Sequence, residues 1–186
     1  MQSITKEMLE LSLHILDIAN NSVRAKASLV EILVEEEKLL TIQIKDDGCG
    51  MAKDFLEKVR TPYVTTKTTS GSGMGIPLFE KEAISCGGKF SIESEEGIGT
   101  TVTATFAQDH KNRLPMGNMA ETMKALISGS PETDFVYSHK KGGQKFLFDT
   151  REIKAELENV PINTPKILSW IGEYICEGLG DISVSQ

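Results

Sequence analysis

The first element that the pattern of hydrophobic positions predicts is an amphipathic helix over residues 8–25. Apolar side chains recur there at helical spacing, three or four residues apart, which is typical of a helix that packs one face on a core. The stripe that we expect to face the core consists of Leu9, Leu13, Leu16 and Val23.

Strand pairs and further helices follow in the next part of the chain. Period-two alternation of apolar and polar residues predicts strands at 29–35 and 39–45, and short apolar patterns predict helices at 53–60 and 76–86. A second pair of strands is expected, one beginning near 90–92 and the other at 102–106. Residues 61–75 show neither periodicity nor core residues. Strand pairs interleaved with helices predict an α+β fold, a two-layer α/β sandwich with a mixed sheet and helices on one face.

The remaining residues predict a small C-terminal α+β appendage. Residues 110–118 have the composition of a linker, and a helix is expected at 119–127. A hairpin is expected at 135–148, with two glycines at its turn, followed by helices near 151–158 and 165–177. We therefore predict an N-terminal domain at 1–109 and a separate C-terminal unit at 110–186.

Charge and composition narrow the classes of function. The net charge of −7 and pI of about 5.1 argue against a general nucleic-acid footprint, which requires clustered Lys and Arg. No apolar run approaches the ~20 residues of a membrane span, and the N-terminus does not resemble a secretion signal. We expect a cytoplasmic protein with no membrane partner. The three cysteines and three histidines are scattered, so neither disulfides nor a transition-metal site is indicated.

Polar residues group in three places that the core pattern does not explain. In "LDIANNSVRAKA", Asp17, Asn21 and Arg24 lie on one helix face. "DDGCGM" at 46–51 places two acids and two glycines at a strand end, which by itself is also an ordinary turn signal. "TTKTTSGSGMGI" at 65–76 places glycines before a helix whose N-terminus can attract phosphate, although this motif alone favours a flexible loop.

Taken together and in this order, these motifs resemble those of the GHKL superfamily of ATP-binding domains, which includes gyrase, histidine kinases, mismatch-repair ATPases and heat-shock chaperones. "LDIANNSVRA" is similar to the N-box, "DDGCGM" to the first glycine box and "GSGMGI" to the second. "TTK" and "GIGTTVTATF" also match the histidine-kinase pattern. The resemblance covers about residues 1–107 and implies the GHKL fold and ATP binding.

The resemblance implies an adenine site at the end of the second strand. Asp46 matches the aspartate that accepts a hydrogen bond from the adenine amino group, and Thr100 matches the threonine that supports this site through water. Gly48 and Gly50 would let the backbone lie close to the base, and Met51 closes the motif. An acceptor facing the exocyclic amine selects adenine over guanine.

The resemblance also implies a site for the phosphates and for Mg²⁺. Asn21 matches the residue that ligates magnesium, with phosphate oxygens completing the shell. Arg24 and Lys67 are the cations expected at the phosphates, with solvated surface charges as the alternative. The resemblance identifies the loop at 65–75 as a lid over the nucleotide. It contributes the remaining candidate binding residues Thr66, Gly71, Gly73, Met74 and Gly75.

Asp17 decides what chemistry the resemblance implies. Hydrolytic relatives, and the serine kinases that act as anti-sigma factors, carry a glutamate there as general base, four residues before the asparagine. Asp17 is one methylene shorter, so its reach falls short by about 1.5 Å. His14 lies one turn earlier on the same face and is interpreted as a surface histidine, with orientation of Asp17 or contact with the nucleotide as the alternatives.

Three classes of function remain open at this point. The first is an ATPase or protein serine/threonine kinase of the anti-sigma-factor type, since no phospho-acceptor hairpin precedes the motifs. The second is a regulatory module that binds ATP or ADP and changes its affinity for a protein partner, and the third is a structural subunit without nucleotide. The whole chain also resembles a bacterial family of stand-alone GHKL proteins associated with iron-hydrogenase genes, which implies a protein partner and admits a homodimer.

Overall fold

The computed structural model describes residues 9–60 and 74–184. The helices of these ranges are α1 (Leu11–Arg24), α2 (Lys53–Leu56), α3 (Gly75–Ser85), α4 (Met119–Gly129), α5 (Thr150–Leu157) and α6 (Pro165–Val184). The strands are β1 (Leu29–Glu36), β2 (Leu39–Asp46), β3 (Phe90–Glu95), β4 (Gly99–Ala107), β5 (Asp134–Lys141) and β6 (Gln144–Asp149). Each predicted element appears close to its expected position. However, α2 ends four residues earlier than the predicted 53–60 helix, and α6 continues to Val184, beyond the predicted 165–177 helix.

A six-stranded mixed sheet forms the framework, in the order β3-β4-β2-β1-β5-β6. Neighbouring strands are antiparallel except β1 and β5, which run parallel. Alternate strand residues such as Ile32, Ile42 and Phe106 are buried in one core with residues of α1, α3, α4 and α6. The predicted α+β architecture is confirmed.

The C-terminal residues continue this sheet and touch both ends of α1. The carbonyl groups of Pro115 and Met116 accept hydrogen bonds from the first two backbone N–H groups of α1, at 2.9 and 2.8 Å. Beyond the helix, the Asp134 N–H donates to the Ser28 carbonyl at 2.8 Å. The boundary at residue 110 stays a prediction, and residues 115 and 116 of the predicted linker bond to the start of α1.

The predicted core stripe of α1 is confirmed for Leu16 and Val23, which are partly buried against the core, and wrong for Leu9 and Leu13. Leu9 and Leu13 are 58% and 38% exposed, whereas Leu11 and Ile15 are fully buried. The helix carries apolar residues on two nearly opposite sides, and periodicity alone does not choose between them. The positions of the sheet, α3 and α4 decide which side is covered.

Candidate functional site

A cavity of about 530 Å³ opens between α1, α2, the start of α3 and the ends of β2 and β4. Nine predicted site residues line it: Asp17, Asn21, Arg24, Asp46, Gly50, Met51, Met74, Gly75 and Thr100. Apolar side chains from α1, α2, β3 and β4 complete the wall, as expected where a flat organic ligand is enclosed. Gly48 lies in the turn beside Asp46, and Thr66, Lys67, Gly71 and Gly73 lie outside the described residues.

The Asp46 carboxylate is held in place by three donors at the end of β2. Its Oδ1 accepts from the backbone N–H groups of Gly48 at 2.9 Å and Thr100 at 3.2 Å. Its Oδ2 accepts from the Ser22 hydroxyl at 2.6 Å. Asp46 is only 9% exposed, so this network orients a buried acceptor at the cavity wall.

Ser22 is a site residue that the sequence analysis missed. It lies on the buried face of α1, one residue after Asn21, and is 4% exposed. A signal for it was present, since Ser22 continues the spacing of Leu11, Ile15 and Ile18 on that face. A polar residue on the apolar side of a helix normally has a buried partner, and here the partner is Asp46.

Asp47 has a different and local task. Its Oδ1 accepts from the backbone N–H groups of Ser28 at 2.8 Å and Leu29 at 2.9 Å, and its Oδ2 binds the Ser28 hydroxyl. Burial alone would raise the pKa of the Asp47 carboxyl, but these hydrogen bonds outweigh it and hold the pKa below its ordinary value. Asp47 therefore ties the strand end to the start of β1, and only its neighbour lines the cavity.

Gly50 is required by the protein's own backbone. Its φ of +63° lies in the left-handed region, and a Cβ there would overlap the Glu95 carbonyl oxygen. The turn is fastened to the β3–β4 connection by the Gly97 N–H bonding to the Cys49 carbonyl at 2.8 Å. The Met51 N–H donates to the Ser94 hydroxyl at 2.9 Å, so both ends of the turn are held.

The polar face of α1 meets the beginning of α3. The Asp17 carboxylate lies against Gly75, so that a Cβ added to Gly75 would overlap it. Met74, at the N-cap of α3, makes no side-chain capping bond. The Asn21 Oδ1 accepts from the Arg24 guanidinium at 3.3 Å. An acid, an amide oxygen and a cation are thus gathered at one end of the cavity.

His14 is buried, and its interpretation as a surface histidine is wrong. The imidazole is 4% exposed and stacks on Phe79 of α3, with ring centroids 5.4 Å apart and planes at 19°. Its Nδ1 has no hydrogen-bond partner within the part of the chain that the structure describes. Burial lowers the pKa of His14 to about 4, so the ring is neutral near pH 7. It serves as packing between α1 and α3.

We expect His14→Leu to flatten the dependence of stability on pH. The folded pKa of about 4 lies below the ordinary value of 6.5, so protons bind preferentially to the unfolded chain. The stability of the wild type is therefore full above pH 6.5 and falls as the pH drops toward 4, by up to about 3 kcal/mol. Urea unfolding across this range measures it, with His110→Leu as the control at a half-buried histidine. Equal slopes for wild type and His14→Leu would contradict the assignment.

The described residues, 9–60 and 74–184, hold neither a metal-binding cluster nor a membrane-spanning helix. No group of three or more His, Cys, Asp or Glu side chains stands close enough to bind a metal by itself. No helix in these ranges has both the length and the apolar character to span a membrane.

A protein-family comparison matches residues 8–110 to the family described as "Histidine kinase-, DNA gyrase B-, and HSP90-like ATPase". Similar curated proteins include the sensor histidine kinase WalK of Bacillus subtilis, 38% identical over 76 residues, covering 38% of this chain and 12% of that protein. The sensor histidine kinase ZraS of Escherichia coli is 34% identical over 76 residues, covering 41% of this chain and 16% of that protein. The chain thus spans less than a fifth of the length of these relatives.

Among solved structures, the chain is similar to one described as the N-terminal domain of a DNA repair protein. The TM-score is 0.52 at 15% sequence identity, covering 75% of this chain and 52% of the other. At that identity the likeness concerns the fold, and it extends beyond the region that the family comparison matches.

Proposed function

Because the chain belongs to the histidine kinase-, DNA gyrase B- and HSP90-like ATPase family, we propose that it binds Mg–ATP in the cavity beside Asp46 and transfers the γ-phosphoryl group. The acceptor would be water, which gives ADP and phosphate, or a serine or threonine hydroxyl of a protein partner, which gives ADP and a phosphoprotein. The observation that carries the proposal is the Asp46 carboxylate, buried and held by Ser22, Gly48 and Thr100 at the cavity wall.

In this proposal Asp46 reads the adenine base. An oriented carboxylate accepts from the exocyclic amine of adenine, whereas the oxygen of guanine at that position would leave two acceptors facing each other. Met51, Ile92 and Val102 line the same cavity and supply apolar surface for the flat faces of the ring. Thr100 contributes its backbone N–H to Asp46, while its hydroxyl lies 2.8 Å from the Ser94 hydroxyl.

The donors at the other end of the cavity fit Mg²⁺ bound together with phosphates. Mg²⁺ prefers oxygen ligands and usually takes only one or two from the protein, with substrate phosphates and water completing the shell. Asn21 offers such an oxygen, and Asp17 lies one helical turn away on the same face. When bound, the ion neutralises phosphate charge. Arg24, Lys67 and the α3 N-terminus would hold the phosphates, together with lid residues Thr66, Gly71, Gly73, Met74 and Gly75.

Asp17 is proposed as the general base. As the oxygen of water or of a hydroxyl attacks the γ-phosphorus, its proton would pass to the Asp17 carboxylate, and the bond to the bridging oxygen would break to release ADP. Asp17 is short for this task and lies against Gly75 in the described conformation. That placement favours a second candidate, a module that senses ATP or ADP through the lid and performs little turnover.

The cellular setting is proposed from the sequence resemblance alone. It suggests a stand-alone regulator of the anti-sigma-factor type, or an accessory of a hydrogenase or other redox system, acting on a protein partner in the cytoplasm. The sensor kinases named above are several times longer than this chain, so their activity as whole proteins is not carried over.

Single-turnover measurement with γ-labelled ATP, magnesium and excess protein tests the proposal. We expect the wild type to release or transfer the label, and Asp17→Asn to slow this step by about 10²- to 10⁴-fold with nearly unchanged ATP affinity. Asp54→Asn, at an acid on α2 outside the cavity lining, is the matched control and should behave as wild type.

The other outcomes are equally informative. Label that stays on bound ATP in the wild type would favour the sensor and remove the catalytic role of Asp17. Failure to bind Mg–ATP near millimolar concentration would overturn both candidates.

A further inference from the structure

We propose that the outer edge of β6, which no strand of the described residues pairs with, is a dimer interface, at which a second copy of this chain pairs its own β6 antiparallel to the first. The interface would join the two sheets into one of twelve strands. The inference rests on the C-terminal hairpin and on α6, and it is independent of whether the cavity beside Asp46 turns over ATP.

The backbone of β6 points unpaired groups outward. A two-residue turn, Gly142–Gly143 with φ of +56° and +78°, joins β5 to β6. The residues flanking such a turn form a hydrogen-bonded pair, and every second pair after them does the same. Phe146 and Phe148 therefore direct their backbone groups toward β5, and Lys145 and Leu147 direct theirs to the open edge. Within 9–60 and 74–184, no other backbone or side-chain group bonds to these outward positions.

Apolar surface lies on both faces of this edge. Leu147 is 46% exposed on the face of β6 opposite to the one that α6 covers. On the other face, Tyr174 of α6 covers Phe146 and Phe148, with ring centroids 5.7 and 6.4 Å away. Trp170 stacks on Tyr174 at 5.4 Å and 15°, yet these two aromatic rings are themselves 46% and 40% exposed. A strand edge flanked by exposed apolar residues is a site for strand pairing with another chain.

The edge is complementary to itself. In the antiparallel register centred on Leu147, this residue faces its own copy, and Lys145 faces Asp149 of the second chain. Leu147 pairs with its copy through both of its outward backbone groups, and at the ends of the register the Asp149 N–H meets the outward carbonyl of Lys145. The Asp149 carbonyl is engaged in α5, because Asp149 is the N-cap of that helix. Each lysine meets a carboxylate rather than another lysine, although Asp149 also binds Arg151 of its own chain at 2.7 Å. A surface that pairs with itself about a two-fold axis is the commonest kind of homodimer interface.

The spacing of the helices also suits two copies. α6 packs on both β5 and β6. Paired strands lie about 4.8 Å apart, so helices centred on the two hairpins would lie about 10 Å apart, which is the distance at which helices pack. Trp170 and Tyr174 would then be enclosed between the two α6 helices.

The edge needs little reorganisation to pair. Tyr137 and Phe148 face each other across the hairpin, and the Tyr137 hydroxyl bonds the His139 Nδ1 at 2.7 Å. The His139 Nε2 in turn bonds the Glu36 carboxylate of β1 at 2.8 Å. This buried chain fastens the hairpin to the centre of the sheet, so that little conformational freedom is lost on association.

Sedimentation analysis of the whole chain, from micromolar to near-millimolar concentration, measures the association. We expect a dimer in the wild type. Leu147→Lys would place two ammonium groups opposite each other and should raise the dissociation constant by at least about 100-fold. Ile98→Lys is the matched control. Ile98 is 65% exposed and lies in the turn between β3 and β4, at the other edge of the sheet, so this variant should leave the dimer intact.

Disulfide cross-linking tests which residues of the two β6 strands face each other. With Cys49 and Cys176 replaced by serine, Leu147→Cys should form a covalent dimer under mild oxidation, since facing Cα atoms on the axis lie about 5.5 Å apart. Gln144→Cys on the same strand is the control, because its copies would be about 20 Å apart. A monomeric wild type near millimolar concentration would overturn the proposal. So would a dimer that survives Leu147→Lys and cross-links no better at 147 than at 144.

Discussion

Replacing Asp46 with asparagine is expected to weaken ATP binding by about 10- to 100-fold while the chain stays folded. The Oδ1 atom of asparagine can still accept from Gly48 and Thr100, and its amide can donate to the Ser22 hydroxyl, so the fold keeps its local bonds. What is lost is a charged acceptor for the exocyclic amine of adenine. Calorimetric titration with Mg–ATP measures the change.

Asp47→Asn is the matched control for this prediction. It alters the adjacent acid, whose carboxylate bonds Ser28 and Leu29 instead of lining the cavity. We expect it to lower the stability of the chain and to leave the affinity for ATP nearly unchanged. If both variants weakened ATP binding equally, the assignment of Asp46 as the adenine acceptor would be wrong.

The second large effect is expected from Gly50→Ala, which should lower the free energy of unfolding by about 3 kcal/mol or more. The new methyl group would overlap the Glu95 carbonyl oxygen, so the turn that carries Gly48 and Met51 has to move away from β3. The left-handed φ of +63° adds a further cost for any L-residue with a Cβ. Urea denaturation followed by circular dichroism measures the loss.

Gly97→Ala separates the two causes. Gly97 has a similar φ of +79°, but a Cβ there would meet no atom within 4 Å. We expect this variant to cost only about 1 kcal/mol, the conformational part alone. A loss for Gly50→Ala no larger than that of Gly97→Ala would show that the turn accommodates the methyl group, contrary to the packing described here.

Some elements of the fold and of the candidate site were predicted correctly from the sequence. The strands β1 and β2 were predicted within a residue of their ends, since alternation marks a strand with one buried face. The polar face of α1 was also predicted, and the structure brings Asp17, Asn21 and Arg24 to one cavity with Asp46. Helical spacing and strand ends are local properties, so a single sequence is enough to place them.

Other features were missed because they depend on distant neighbours. His14 is buried because Phe79 of α3 stacks on it, and nothing in the local pattern indicates that contact. The motif predicts that Gly50 makes room for a base, yet the Glu95 carbonyl already excludes a side chain there. Ser22 acquires its partner only when α1 crosses the end of β2.

By itself, the sequence determined the elements, their order, the polar face of α1 and the acid at the end of β2. Periodicity, turn residues and motif spacing depend on residues close together in the chain, so they can be recognised without knowledge of the fold. Only the tertiary structure decided which side of α1 is buried, that β5 pairs in parallel with β1, and that β6 lies at the edge of the sheet formed by the described residues. These outcomes depend on contacts between residues far apart in the chain, and the local pattern is compatible with more than one of them.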